Sequence, residues 1–430
     1  MKKTLLLLSM IITLIIAGCG NGNNGASEGA GGDASGTKEV TLKVFNFKVE
    51  MAEQLDRLAK EYEAENPGIK VVTETCGGGC DYSAALKTKF SAGDKPDIFF
   101  VAGHSDLDLW EEHLEDLTDQ PWVGDIHDFA KVPMTKDGKV YGMPLNLEGW
   151  GFIYNKDLFA QAGITELPKT ISELEAAAKQ LQDAGITPFI NGYAEWWILG
   201  NHLMNIGFAQ QDDPVAYIEA VKQGQETITG NQTLNEWANL FELTVQYGQP
   251  NSLQTDYNTQ VTNFANGKAA MMQQGNWTQI QLLDINPDLQ HGFLPMPIND
   301  DAEKMDKLPI GVPNNWVVHK NSAVKEQAKT FLNWMVTSEV GKRYIVEEFK
   351  FIPALKTISA DESQLGPLAA DIIAYSDAGK AIPWVWQRYP GYEANTSQMA
   401  STMQAFVGNQ VSREQMFEQF QKTWEEFAAQ

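Results

Sequence analysis

Residues 40–102 read VTLKVFNFKVEMAEQLDRLAKEYEAENPGIKVVTETCGGGCDYSAALKTKFSAGDKPDIFFVA. Val40 to Phe45 is a run of β-branched and aromatic residues, the composition of a strand. Met51, Leu55, Leu58, Ala59 and Tyr62 recur at the spacing of one helix face, so Met51 to Glu65 reads as an amphipathic helix. Asn66-Pro67-Gly68 stops it, Ile69 to Thr75 is a second strand, and Tyr82 to Ser91 is again helical. Asp97 to Ala102 is a short apolar strand of the type buried in a parallel sheet. This alternation predicts an α/β sheet with right-handed crossovers.

Outward from that stretch, strands read at Gly151–Tyr154, Pro188–Ile190, Ala269–Met272, Gly292–Leu294 and Trp316–His319. Helices read at Ile171–Ala184, Leu234–Tyr247, Lys325–Val336, Ser338–Phe349 and Arg413–Ala428. A chain of 430 residues, at about 100–200 per domain, predicts two or three domains. No repeat and no long Pro- or Ser-rich linker divides the chain after its N-terminal region. Two domains would therefore be joined by short structured crossings, as in a hinged protein.

The composition, 43% hydrophobic and 20% charged, is that of a folded globular protein. With 32 Lys+Arg against 56 Asp+Glu the net charge is -24, which argues against nucleic acid or an anionic lipid surface as partner. Lys2 and Lys3 precede an apolar stretch, Leu5 to Ile16, that is shorter than the about 20 residues of a membrane span. Residues 1–18 thus read as a signal peptide. Ile16-Ala17-Gly18-Cys19 resembles the bacterial lipobox, in which the thiol is lipidated and becomes the new N-terminus; the plainer alternative is a signal peptide with a chance cysteine. Residues 19–37, mostly Gly, Asn, Ala and Ser, read as a flexible tether between lipid and domain. Cys76 and Cys80 flank three glycines, which let the backbone turn and bring the sulfurs together. An exported chain favours a disulfide there, and a metal would want more ligands than the neighbouring Asp81 adds.

Four segments stand out: Val44-Phe45-Asn46-Phe47, Gly93-Asp94-Lys95-Pro96-Asp97-Ile98-Phe99, Tyr141-Gly142-Met143-Pro144 through Tyr154-Asn155-Lys156-Asp157-Leu158-Phe159, and Phe264 to Trp277. They resemble segments of the solute-binding lipoproteins of bacterial ABC importers, specifically the sugar-binding group. Each is weak alone; four in the family's order are strong. The resemblance implies a two-lobed, periplasmic-binding-protein-like α/β fold with three hinge crossings and a sugar cleft. The lobes expected are 38–147 plus 297–350 and 148–296 plus 351–430. Residue by residue, it implies sugar contacts from Phe47, Glu148, Glu195, Trp196 or Trp197, Trp277, Asn314, Trp384, Trp386 and Arg388. It further implies an ABC permease as partner, a monomer held to the outer face of a Gram-positive membrane by lipid alone, and no cofactor. The Cys76–Cys80 pair departs from the commonest family pattern, where glycines stand without cysteines.

Chemistry points the same way. A sugar offers a C–H face to aromatic rings and a rim of hydroxyls to carboxylates, amides and Arg. Glu195-Trp196-Trp197 and the Trp384 to Arg388 segment mix those groups. These tryptophans could equally be core, since Trp is highly buried on average, and of adjacent Trp196 and Trp197 one is expected in the core and one at the cleft. His104, after the Phe99–Ala102 strand, is a metal-ligand candidate or, more in keeping with Ser105 and Asp106 beside it, a loop residue or sugar donor. No metal or phosphate-loop motif stands elsewhere. Two alternatives stay open: a peptide- or other solute-binding protein anchored on Arg388, and a surface glycosidase using Glu148 and Glu195 as acid and nucleophile.

Overall fold

The computed structural model describes residues 39–77 and 80–429; the signal peptide, Cys19 and the tether lie outside the described residues. The strand–helix alternation of the N-terminal stretch is present as β1 (Val40–Asn46), α1 (Ala52–Glu65), β2 (Ile69–Thr75), α2 (Tyr82–Ala92), β3 (Ile98–Val101) and α3 (Ser105–Trp110). Leu42 and Val44 of β1 face the core while Thr41 and Lys43 are exposed, a period-two pattern that gives way to full burial at Phe45 and Asn46. Asp81 caps α2 by accepting from the Ala84 N–H at 2.9 Å, which satisfies one of the helix's free donors. Cys76 and Cys80, just before that cap, are joined as a disulfide with Cα atoms 5.4 Å apart.

Apart from a short hairpin at Thr135–Lys136 and Lys139–Val140, the remaining strands are β4 (Met143–Pro144), β5 (Glu148–Asn155), β6 (Phe189–Ile190), β7 (Met271–Gly275), β8 (His291–Leu294), β9 (Leu308–Gly311), β10 (Asn315–Val318) and β11 (Ala381–Ile382). With β1 to β3 these form the two large sheets. The first runs β2-β1-β3-β10-β4, with β1 parallel to β2 and β3 and with β10 antiparallel to both β3 and β4. The second runs β11-β9-β5-β7-β6, and β8 pairs with the far half of β5. Every residue of β5 is buried, as expected of a central strand. Sequence placed residues 297–350 with the first lobe, but β9 hydrogen-bonds to β5 and β11 in the second sheet. The chain therefore returns to the first sheet at Val312-Pro313-Asn314, not near residue 297.

Three segments link the sheets: 145–147 between β4 and β5, 312–314 between β9 and β10, and a stretch around 349–355. They are tied to one another. The Leu145 N–H donates to the Asn314 carbonyl at 3.0 Å, and the Leu147 N–H to the Ile352 carbonyl at 2.9 Å.

After the third crossing come helices Pro367–Asp377, α4 (Tyr392–Val407) and α5 (Arg413–Ala428). Sequence missed α4 because its buried face consists of Asn395, Thr396, Met399, Ala400, Thr402 and Met403, which carry little apolar periodicity. It missed the π-helical turn Ile198–Leu203 for a related reason: all six residues are buried, so no amphipathic stripe exists. The expected helix at 338–349 splits into Glu339–Arg343 and a π-helical turn at Tyr344–Glu348. Trp424 of α5 stacks on Phe208 at 5.2 Å and lies 4.9 Å from Tyr389, locking the C-terminal helix to segments that follow two parts of the aromatic cluster described below. Truncating this fully buried ring, Trp424→Ala, is expected to cost about 3–5 kcal/mol, read as a lower denaturant midpoint.

Candidate functional site

Lys48 lies just beyond the end of β1, and its place is set by Asn46. The Asn46 amide donates to the Lys48 carbonyl at 2.8 Å and accepts from the Lys48 N–H at 3.0 Å, which fixes the turn. The ammonium then sits 2.6 Å from Glu148 and 2.9 Å from Glu50, all three side chains being less than a tenth exposed. Glu148 opens β5 directly after the first crossing, and Asn146 in that crossing donates to it at 3.1 Å. Burial pushes the Lys48 ammonium down, but Glu148 and then Glu50 override it, so its net shift is upward. Burial raises the Glu148 carboxyl, and Lys48 pulls it back. One cation thus holds two buried carboxylates at the place where the chain passes from one sheet to the other.

Beside this triad lies an aromatic cluster. His202, in the π-helical turn, is surrounded by indoles: Trp150 stacked at 5.0 Å, Trp277 at 5.0 Å, Trp197 at 5.3 Å, Trp386 at 5.4 Å and Trp384 at 6.3 Å. Trp384 and Trp386 are 4.6 Å apart, and the Lys48 ammonium is 6.0 Å from the Trp277 ring. Local sequence explains the packing. The Trp277 ring folds back over Gly275 and the Trp384 ring lies on Gly311, where a Cβ would come within 2.0 and 2.7 Å of ring atoms. Asn205 grips the Trp384 segment, donating to the Pro383 carbonyl at 3.2 Å and accepting from the Val385 N–H at 2.8 Å. Burial, with Lys48 nearby, lowers His202 to about 3, so its imidazole is neutral. His202 Nδ1, Trp150 Nε1, Trp384 Nε1 and Asn146 Oδ1 are buried without a hydrogen-bond partner among the described residues.

A family model described as bacterial extracellular solute-binding protein matches residues 48–342. The chain belongs to that family. Similar curated members include a multiple sugar-binding protein of Streptococcus mutans, 26% identical over 83% of this chain and 84% of its own. The melibiose/raffinose/stachyose-binding protein MelE of Bacillus subtilis is 25% identical over 84% and 83%. Among solved structures, RafE in complex with raffinose superposes with a TM-score of 0.76 at 22% identity, covering 90% of this chain and all of that one, 100%. A Bacillus licheniformis sugar transporter in complex with stachyose gives 0.75 at 22%, covering 91% and 100%. These establish the two-lobed α/β fold of the family.

Within that fold, the structure brings together Glu148, Trp197, Trp277, Trp384 and Trp386 around Lys48 and His202. Phe47 joins them through the ammonium, 5.4 Å from its ring. Trp197 is the member of its pair whose ring meets His202; Trp196 is half-buried against the core. Glu195 stands at the edge, accepting from the Tyr257 N–H at 3.2 Å, and the Tyr257 ring is 5.7 Å from Trp197. Asn314 contributes its backbone to the crossing, and its side chain is half-buried. His104 and Arg388 face each other at a separate contact; burial and then Arg388 lower His104 to about 4. Among the described residues no group of three His, Cys, Asp or Glu is placed to hold a metal ion, and no helix is long and apolar enough to cross a membrane.

Sequence reasoning missed Lys48, Glu50, Trp150 and His202. The first two follow Phe47 closely and carried a signal, a charged pair in a loop after a buried strand. Trp150 and His202 sit in continuously buried segments whose pattern resembles ordinary core. Lys48→Met is expected to leave two buried carboxylates without their cation, at a cost of up to about 3–5 kcal/mol near neutral pH. The Glu148 carboxyl then rises further, so stability is regained as pH falls and it protonates; urea unfolding at about pH 7 and about pH 5 measures this.

Proposed function

We propose that this solute-binding protein captures an oligosaccharide between its lobes and delivers it to an ABC import permease. The observation that carries this is the cluster of five indoles around a neutral imidazole, with unpaired buried donors, beside the Lys48–Glu50–Glu148 triad. Indole faces suit the C–H faces of pyranose rings, and the charged and amide groups suit their hydroxyls. The names of the curated relatives, binders of multiple sugars and of melibiose, raffinose and stachyose, favour an α-1,6-linked galactoside or glucoside.

In this reading the lobes are residues 39–147 plus 312–350 and 148–311 plus 351–429, and ligand selects the closed arrangement because only there does it touch both. Glu148 hydrogen-bonds the sugar together with Lys48; Trp277, Trp386 and Trp197 stack on it; Glu195, Asn314, His104 and Arg388 supply rim contacts. Export leaves Cys19 as a lipidated N-terminus, which intact mass of membrane-extracted protein reports; an unmodified Cys19 sinks that part.

A thermal-shift screen over mono- to tetrasaccharides is expected to find raffinose or an isomalto-oligosaccharide among the stabilisers, since a ligand at 100 times its Kd adds about 2.7 kcal/mol. Chromatography should return the sugar uncut; cleaved product would move the chain to the glycosidases. By calorimetric titration, Trp386→Ala is expected to weaken binding by about 2–4 kcal/mol and Glu148→Gln by about 1–2 kcal/mol. A Trp386→Ala variant that loses melting temperature without the ligand but keeps its affinity would make Trp386 core only.

A further inference from the structure

The Cys76–Cys80 disulfide borders the turn that presents Lys48. The Cys76 N–H donates to the Asn46 carbonyl at 2.8 Å, and the Cys76 side chain is buried. The Asn46 side-chain amide donates to Thr75 Oγ1 at 3.0 Å as well as to the Lys48 carbonyl. Asn46 therefore joins the end of β2 to the backbone of Lys48. Gly77 lies against the next residues of the same turn. A Cβ there would overlap the Phe47 carbonyl oxygen and stand 2.7 Å from Val49 Cγ1. Residues 75–77 are thus the surface on which the turn 46–49 is moulded.

Beyond the disulfide the chain is anchored. Cys80 is followed by Asp81, the cap of α2, and by Tyr82. The Tyr82 hydroxyl donates to the Phe45 carbonyl at 3.3 Å and accepts from the Phe100 N–H at 2.9 Å, and its ring stacks on Phe45 at 4.8 Å. The start of α2 is therefore fixed to β1 and β3. Between Cys76 and Cys80 the sequence supplies only glycine, the residue with most backbone freedom to lose. Such a linker transmits no constraint by itself. The covalent bond does, since it ties Cys76 to the anchored end and keeps Gly77 seated on Phe47 and Val49.

We propose that the Cys76–Cys80 disulfide is a positioning device for Lys48, so that its reduction frees the cation at the centre of the site and weakens ligand capture. The disulfide touches no ligand. It acts through Gly77 and Asn46 on the turn, and through the turn on the ammonium that Glu50 and Glu148 share. Its effect on capture rests on the reading that this site takes an oligosaccharide; its effect on Lys48 does not.

Acetylation of lysines in the ligand-free protein, followed by mass spectrometry, tests the positioning without any sugar. In the oxidised protein Lys48, buried and doubly paired, is expected to react far more slowly than exposed Lys60. Dithiothreitol breaks the Sγ–Sγ bond into two thiols and is itself oxidised to its cyclic disulfide, and Cys80 is exposed to it. After reduction Lys48 should react at a rate approaching that of Lys60. Lys329, held by Glu115 and Glu326 elsewhere in the first lobe, should keep its rate. Gly77→Ala, with the disulfide intact, should expose Lys48 in the same way. A Lys48 that stays slow after reduction overturns the proposal, and so does release of Lys329 in step with Lys48, which would mean general loosening. Calorimetry with raffinose should then give a Kd at least about tenfold higher in the reduced protein, the loss of one charge-assisted hydrogen bond. An unchanged Kd with Lys48 exposed overturns the link to capture. Acetylation as expected with no raffinose binding to the oxidised protein supports the positioning and counts only against the sugar reading.

Discussion

The Lys48–Glu148 contact is the interaction on which the site depends. Its two residues lie 100 positions apart, one at the end of the first sheet's β1 and the other at the start of the second sheet's β5. A buried pair of this kind contributes little net stability over a hydrophobic replacement, because both charges lose water. What it supplies is geometry. An ammonium that must satisfy Glu50 and Glu148 together can do so only when the first crossing holds its present path, and Asn46 and Asn146 restrict both ends. The rest of the cleft is arranged around a fixed charge, with the indoles of the second lobe packed beside it.

The three crossings hold the site where the two sheets meet. They are short and hydrogen-bonded to one another, so bending at one segment is shared by the others. Gln387 adds a link, donating to the Val312 and Pro313 carbonyls at 3.1 Å each, so the turn carrying Trp386 is tied to the second crossing. Through this link the aromatic cluster is held to the second crossing.

Much of this was legible from residues alone. The alternation from Val40 to Ala102 predicted the first sheet's core because each element there has one apolar face and a clear stop. The motif segments led to the family, and Glu148, Trp277 and the Trp384–Trp386 segment carried over to one cluster. Legibility failed where burial is complete or the buried face is polar. The π-helical turn bearing His202, the second-sheet strand at 308–311 and the helix at 392–407 have no alternation to read, since their partners are distant segments and not water. Lys48 failed differently: a lysine next to a strand is normally solvent-facing, and its burial here depends on the far-off Glu148 as well as the neighbouring Glu50.

The order of strands in the first sheet has a consequence for biogenesis. β10 lies between β3 and β4, yet it is made more than two hundred residues after β3. Until residues 315–318 are available, β3 and β4 have no common neighbour and the first sheet cannot close. Pairing with a partner so distant in sequence is intrinsically slow, and the segments that await it hold incomplete packing meanwhile. Completion of the first sheet therefore waits until residues 315–318 have been made, so its native strand order is reached only late in synthesis.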